Sequence, residues 1–236
     1  MPVEKKLINP DFEIKIIRVG KEQTPVMVID DFLLDTKDVI ANACEFGQFT
    51  RASTYYPGNR ANLPRSYVIK VLQSVYLQIC ELYNIPEALN LKPQATTYSL
   101  ITHQPEELHV LQRIPHFDST NPYYFAVLHY LSDRCHGDTG FFRHRPTGFE
   151  SITASRESVY LDSTKEHFMK FGEPLPAYCT ETNDHYELYD KIEYKPNRLA
   201  IYPGNLLHST LVNADTDIDD NPARGRLTAN IFIDFL

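Results

Sequence analysis

From about residue 92 to its end the chain is a succession of short β-patterned segments separated by turn residues, and this pattern limits the fold more than any other feature. Thr96 to Ile101 is one such segment, Tyr123 to Leu131 another, and Arg198 to Tyr202 a third, closed by Pro203-Gly204-Asn205. Gly137 to His144 reads as a turn entering a strand. Arg226 to Leu236 alternates, with Leu227, Ala229, Ile231, Ile233 and Phe235 on one face. Residues two apart on a strand share a face, so this period marks a half-buried strand. Many short strands at such spacing argue for a sandwich or barrel with helices packed outside. The 15 tyrosines and 13 phenylalanines suit a sheet-rich core.

The first ninety residues have a different texture. Phe12 to Ile16 and Pro25 to Asp30 read as short strands. Asp35-Thr36-Lys37-Asp38 suits the start of a helix carrying Val39, Ile40, Ala43 and Cys44. Ser66 to Tyr83 shows a helical period that Asn84-Ile85-Pro86 ends. Between these helices, residues 51–65 read as a loop, with Tyr55-Tyr56-Pro57-Gly58-Asn59-Arg60 a candidate substrate contact. Residues 149–197 are polar, broken by Pro174, Pro176 and Pro196, and carry a helix at Ser163–Lys170. So long a connection suggests a lid. The expectation is one domain over 1–236: an N-terminal support (1–91) and a mainly β core (92–236) holding a lid-like insertion (149–197).

Composition narrows the partners. Net charge is −8 with no run of Lys and Arg, so neither nucleic acid nor an anionic membrane surface is expected. No apolar run is long enough to span a bilayer, and Met-Pro-Val-Glu-Lys-Lys is followed by no apolar leader segment. The four cysteines (Cys44, Cys80, Cys135, Cys179) are widely spaced with no C-x-x-C pair, which suits free thiols and a cytoplasmic location. The sequence sets no oligomeric state.

The chemistry centres on His116-Phe117-Asp118. On an extended segment an imidazole and a carboxylate two residues apart emerge side by side. With a second imidazole they form the two-histidine, one-carboxylate set that holds Fe(II) on one side and leaves positions open. His208, just after the Pro203-Gly204 turn, is placed to be that second imidazole. Arg226 opens a strand that runs inward, and a buried guanidinium needs a carboxylate partner, which a bound ligand can supply.

The order strand–His-x-Asp, strand–Tyr-Leu-Ser, Gly-x-x-Gly turn, strand–Pro-Gly–His, strand–Arg resembles the Fe(II)/2-oxoglutarate-dependent dioxygenases, chiefly their prolyl-hydroxylase-like branch. The likeness covers roughly residues 92–236, with Val28-Ile29-Asp30-Asp31-Phe32-Leu33 resembling how such chains begin. It implies a double-stranded β-helix (jelly-roll, cupin-like) core with flanking helices. It further implies Fe(II) on His116, Asp118 and His208. The 2-oxoglutarate cosubstrate would lie on Arg226, with Tyr130 and, more weakly, Tyr98 adding hydroxyls. The substrate would be a small molecule or an amino-acid side chain. A carboxylate at Asp118 favours hydroxylation or a related oxidation, since halogenating relatives carry a small residue there. The gap from His208 to Arg226 is longer than usual, which leaves Arg224 as a rival on the same strand face.

Other residues carry plainer expectations. Arg143 is a candidate substrate contact with a surface ion pair as its alternative. His129 alternates with Tyr130 and should be packed and hydrogen-bonded away from the pocket. His103, His109, His167 and His185 read as solvated, Cys135-His136 as an exposed turn, and the aspartates of 215–220 as a solvated loop. Two further function classes compete: a non-catalytic metal-binding β-barrel and a zinc-dependent hydrolase, for two histidines and an aspartate also suit zinc. A cosubstrate clamp at Arg226 and Tyr130 has no purpose in a hydrolase.

Overall fold

The computed structural model describes residues 6–236; residues 1–5, where the stretch expected to lack a leader begins, lie outside them. Two antiparallel sheets carry the fold. The larger joins β1 (Ile14–Val19), β2 (Thr24–Ile29), β3 (Thr50–Arg51), β4 (Gly58–Asn62), β5 (Leu91–Ile101), β6 (Tyr124–Tyr130), β9 (Leu199–Pro203) and β11 (Thr228–Phe235) in the order β1-β2-β9-β6-β11-β5-β4-β3. The smaller contains β7 (Thr139–His144), β8 (Tyr186–Ile192) and β10 (His208–Thr210) in the order β10-β7-β8. Among the described residues no helix is long and apolar enough to cross a membrane, and all four cysteines are free.

Strand parity decides what each face of the large sheet meets. On β11, Ala229, Ile231, Ile233 and Phe235 pack in one cluster with Tyr98 and Leu100 of β5 and Phe125 and Val127 of β6. That cluster is completed by the helices α1 (Lys37–Phe46) and α2 (Arg65–Leu82). Val68, Val71, Leu72, Val75 and Ile79 form the buried stripe of α2, at the spacing that keeps one helix face on the sheet. Each such side chain contributes about 1.5–3 kcal/mol when fully buried. Asn84, at φ +50°, ends α2: Ile85 N reaches back to Cys80 O and Asn84 N to Glu81 O, the paired bonds of a left-handed helix stop.

The opposite face of the large sheet presents Val26, Val28, Ala126, Leu128, Tyr130, Ala200 and Tyr202 to Phe141, Ile192 and Leu206 around the smaller sheet. Two expectations change here. Residues 51–65 are only partly loop, because Gly58–Asn62 is the strand β4, paired with β5 through Arg60↔Ser99 and Ala61↔Tyr98. Nor is 149–197 wholly a lid. Its Tyr186–Ile192 stretch is β8, an integral strand pairing with β7, and its helix α3 runs longer than expected, from Glu157 to Phe171. The half-polar Tyr-Glu-Leu-Tyr-Asp-Lys-Ile pattern hid this strand among prolines.

His129 lies on the helical side, as expected. Tyr67 Oη is 2.7 Å from its Nδ1 and Asn197 Oδ1 is 3.1 Å from its Nε2. Asn197 Oδ1 already accepts from Leu33 N, so the Nε2–H donates and Nδ1 accepts from the tyrosine. Burial pushes this imidazole down to about 4, against the opposing bonds from Asn197. A histidine held neutral stabilises the fold fully above its ordinary value near 6.5, and that contribution is lost as pH falls toward 4. The loss amounts to at most about 3 kcal/mol at roughly 1.4 kcal/mol per unit. Urea unfolding at neutral pH and near pH 4.5 should therefore show His129→Gln losing less stability on acidification than the parent. Equal losses would place the proton uptake elsewhere.

Candidate metal centre and cavity

Two distant segments meet through the backbone. His116 N donates to His208 O (2.9 Å) and His208 N to His116 O (2.8 Å), an antiparallel pair exchanging both bonds. Asp118 N then donates to Gly204 O at 2.6 Å. A Cβ on Gly204 would stand 2.6 Å from the Tyr124 ring and 3.3 Å from Asp118 Cβ, so this close approach requires glycine. The bridge and the turn together fix the side chains. His116 Nε2 and His208 Nε2 each lie 3.8 Å from a different oxygen of Asp118, and the three ligand atoms fall within 4.8 Å of one another.

The protonation of the group favours a cation. His208 Nδ1 faces the carbonyl of Leu206 at 2.8 Å and must donate to it, which leaves the Nε2 lone pair directed at the cluster. Burial among the site residues drives His116 well below its ordinary value, reinforced by His208 and Arg60, which favours its neutral form. The area its ring leaves accessible opens onto a cavity that His116 itself lines. Burial raises the Asp118 carboxyl while His208 and Arg60 oppose the rise, and Asp118 Oδ2 is buried with no hydrogen-bond partner. Two free imidazole lone pairs beside an orphaned carboxylate oxygen fit a divalent metal ion.

Arg226 sits just before β11, only 2 % exposed. Its Nε donates to Gly137 O at 2.9 Å, its Nη2 is buried without a partner, and among the described residues it forms no ion pair. The rings of Tyr130 and Tyr194 flank it at 5.4 and 5.6 Å. Tyr130 Oη is bonded to Thr139 Oγ1 (2.7 Å). Tyr202 links the two halves of the site: its ring is edge-on to His208 at 5.0 Å, and its phenol senses both Asp118 and Arg226. The Tyr56 hydroxyl is also buried, with no hydrogen bond of good geometry; burial raises it, while Arg60, Arg226 and the nearby Ser99 hydroxyl pull it down.

Several expected site residues lie elsewhere. Tyr98 belongs to the helical face, where its hydroxyl donates to Val39 O (3.1 Å) and lies 3.2 Å from Asn42 Oδ1; its strand parity turns it away from the metal cluster. Arg143 is buried but committed to Glu150 and Glu187. Arg224 is not on the strand face of Arg226; it stands in the preceding turn, exposed, paired with Asp219 at 3.0 Å. His103 and His185 are buried rather than solvated.

Cys135 is exposed as expected, but His136 beside it and Asp217 of the aspartate loop depart from expectation. His136 is buried, with Nδ1 3.0 Å from Asp217 Oδ1 and Nε2 2.8 Å from Ser132 Oγ. Asp217, on the short helix α4 (Ala214–Asp217), is fully buried and accepts from Gly137 N and Asn213 N as well. It thereby holds the turn whose carbonyl orients Arg226. A lone aspartate inside a run of polar residues gave no sign of this.

A cavity of about 900 Å³ opens beside the metal cluster. His116, Asp118, Tyr124 and Phe232 form its floor, the His109–Gln112 segment and Tyr56 one side, and Tyr160, Thr164 and Phe168 of α3 another.

Fold and site together define a mainly β, two-sheet protein with a two-histidine, one-carboxylate cluster beside a cavity. The chain belongs to the Family of unknown function (DUF6445), whose model matches residues 10–233. No curated protein matches the chain. AviO1 from Streptomyces viridochromogenes Tue57 is structurally similar at 9% identity and a TM-score of 0.40, over 98% of this chain and 90% of that one. An N-substituted L-amino acid dioxygenase from Burkholderia ambifaria AMMD is similar at 10% identity and a TM-score of 0.40, over 95% and 94%. The same enzyme in complex with alpha-KG is similar at 11% identity and 0.38, over 98% and 96%.

Two outcomes test the geometry. In a Co(II) titration, His116→Ala, Asp118→Ala and His208→Ala should each weaken binding at least about 100-fold, while Arg226→Ala should leave it unchanged. Asp217→Ala leaves the buried donors His136, Gly137 N and Asn213 N without their acceptor, and should cost about 3 kcal/mol in urea unfolding.

Proposed function

We propose that this protein is an Fe(II)- and 2-oxoglutarate-dependent oxygenase, hydroxylating or otherwise oxidising a small molecule or an amino-acid side chain. The two-sheet frame would be its double-stranded β-helix core, and the cytoplasm its working place. One observation carries the reading: Arg226 is a buried guanidinium that forms no ion pair among the described residues, its nearby charge partner Asp217 being held by other donors, and its Nη2 has no hydrogen-bond partner. A dicarboxylic keto acid that reaches the metal at one end and Arg226 at the other would supply the missing anion. A zinc hydrolase has no use for it.

In this reading His116, Asp118 and His208 hold the iron. Bound iron and 2-oxoglutarate would supply the oxidising power, through oxidative decarboxylation of the keto acid to succinate. The chain contributes orientation and exclusion of water. His208 is locked in its ligating tautomer by Leu206 O. Arg226 offers Nη2 to the distal carboxylate while Gly137 O, set by Asp217, keeps its Nε in place. The buried Tyr56 hydroxyl, within the electrostatic influence of Arg226, would be a further donor, and the Tyr130 ring flanks the guanidinium. Charge-assisted bonds of this kind are about twice as strong as neutral ones, more so where water is absent.

Anaerobic Fe(II) protein with 2-oxoglutarate should develop the visible charge-transfer band of the chelate, and aerobic incubation should release succinate. Arg226→Ala should raise the 2-oxoglutarate concentration required by about 10- to 100-fold, the worth of about 1.5–3 kcal/mol for a bond to a charged group. Neither band nor succinate from the iron-loaded parent would end the oxygenase reading.

A further inference from the structure

Arg60 is the second cation of the site, and the cosubstrate reading leaves it unused. It lies on β4, whose pairing with β5 turns Ala61 and Tyr98 toward the helices and Arg60 to the cavity side. Its guanidinium carbon stacks over the Tyr56 ring at 4.3 Å and stands 6.0 Å from the Phe232 ring. Its Nε is buried with no hydrogen-bond partner, and the guanidinium makes no hydrogen bond or ion pair within the described residues. It is close enough to Asp118 for the two charges to influence each other. Arg226 apart, the other buried or half-buried arginines are engaged: Arg113 with the Leu108 and Pro174 carbonyls, Arg143 with Glu150 and Glu187, Arg156 with Glu22, Arg198 with Asp30.

A half-buried cation with free donors, on a cavity wall beside the metal ligands, marks where an anion is received. The cavity's other walls are largely aromatic and aliphatic: Tyr55, Phe117, Tyr124, Tyr160, Phe168 and Phe232. Its volume also exceeds what a five-carbon keto acid fills. Resting on the oxygenase reading, we propose that Arg60 receives the carboxylate of the primary substrate, an organic acid with an apolar body. The acid group would be fixed at β4 and the apolar body laid over Phe232 and Tyr124 toward the metal. Tyr56, lying between Arg60 and Arg226, would separate the substrate's anion from the cosubstrate's.

Binding of hydrocinnamate and of its neutral amide, hydrocinnamamide, tests this by titration calorimetry, on metal-free protein and on protein loaded with Co(II) and 2-oxoglutarate. The parent should bind the acid at least about 10-fold more tightly than the amide in both forms. Arg60→Gln should abolish the preference and Arg60→Lys should restore part of it. The Fe(II)–2-oxoglutarate charge-transfer band should survive both substitutions. Equal binding of acid and amide by the parent, no binding of either, or an unchanged preference in Arg60→Gln would overturn the proposal. Loss of the band in Arg60→Gln would also overturn it, by assigning Arg60 to the metal or cosubstrate instead. If the parent shows the acid preference but never forms the band, the oxygenase reading fails and the anion subsite stands.

Discussion

The candidate metal centre depends on one antiparallel bridge, the pair of backbone bonds exchanged by His116 and His208. Neither residue is near the other in sequence, and neither imidazole alone is more than a polar side chain on a sheet edge. The bridge sets their rings 4.3 Å apart, and the Pro203-Gly204 turn, bonded to Asp118, adds the carboxylate. Backbone bonds are well suited to this task. Their geometry holds whatever the side chains ligate, so the site is assembled before any ion arrives.

The bridge also determines which sheet carries which role. His208 belongs to the smaller sheet, through β10, whereas Arg226 leads into β11 at the middle of the larger one. Between the two sheets, Tyr202, Tyr130 and Phe141 pack in one buried cluster. A ligand spanning from metal to guanidinium would therefore tie the two sheets together. Where the inter-sheet packing gives way, α3 closes the side with Tyr160 and Phe168, and the cavity begins.

Much of this was legible in the sequence because period and chemistry agreed. The alternation of Leu227 to Phe235 gave the central strand and its buried face, and the i, i+3, i+4 stripe of Val68 to Ile79 gave the covering helix. His-x-Asp, the Pro-Gly turn and the later histidine carried enough pattern to be brought together before any coordinates. What failed did so for physical reasons. Tyr98 sits on a strand of the right sheet, but side-chain direction there depends on register with Ala61 and Ala229, which no single segment reveals. Arg224 was separated from Arg226 by a turn at Asn221–Gly225 that ends before the strand begins. β8 alternates too weakly to announce itself, and Asp217 looks like its solvated neighbours until four separate donors converge on it. Arg60 lay within a stretch singled out for its aromatics, yet its facing toward the cavity follows only from the pairing of β4.

The unpartnered atoms around the site have one further consequence. Asp118 Oδ2, Arg60 Nε and Arg226 Nη2 are buried without hydrogen bonds, three unmet polar atoms around the candidate site. Each represents a desolvation cost of roughly 1–3 kcal/mol that the folded chain carries unaided. Whatever satisfies them binds the native state and not the unfolded chain, so by mass action it adds to the folding free energy. The lifetime of this protein would then follow the supply of its small molecules, and scarcity of metal or organic acid would be felt as a shorter-lived polypeptide as well as a slower reaction.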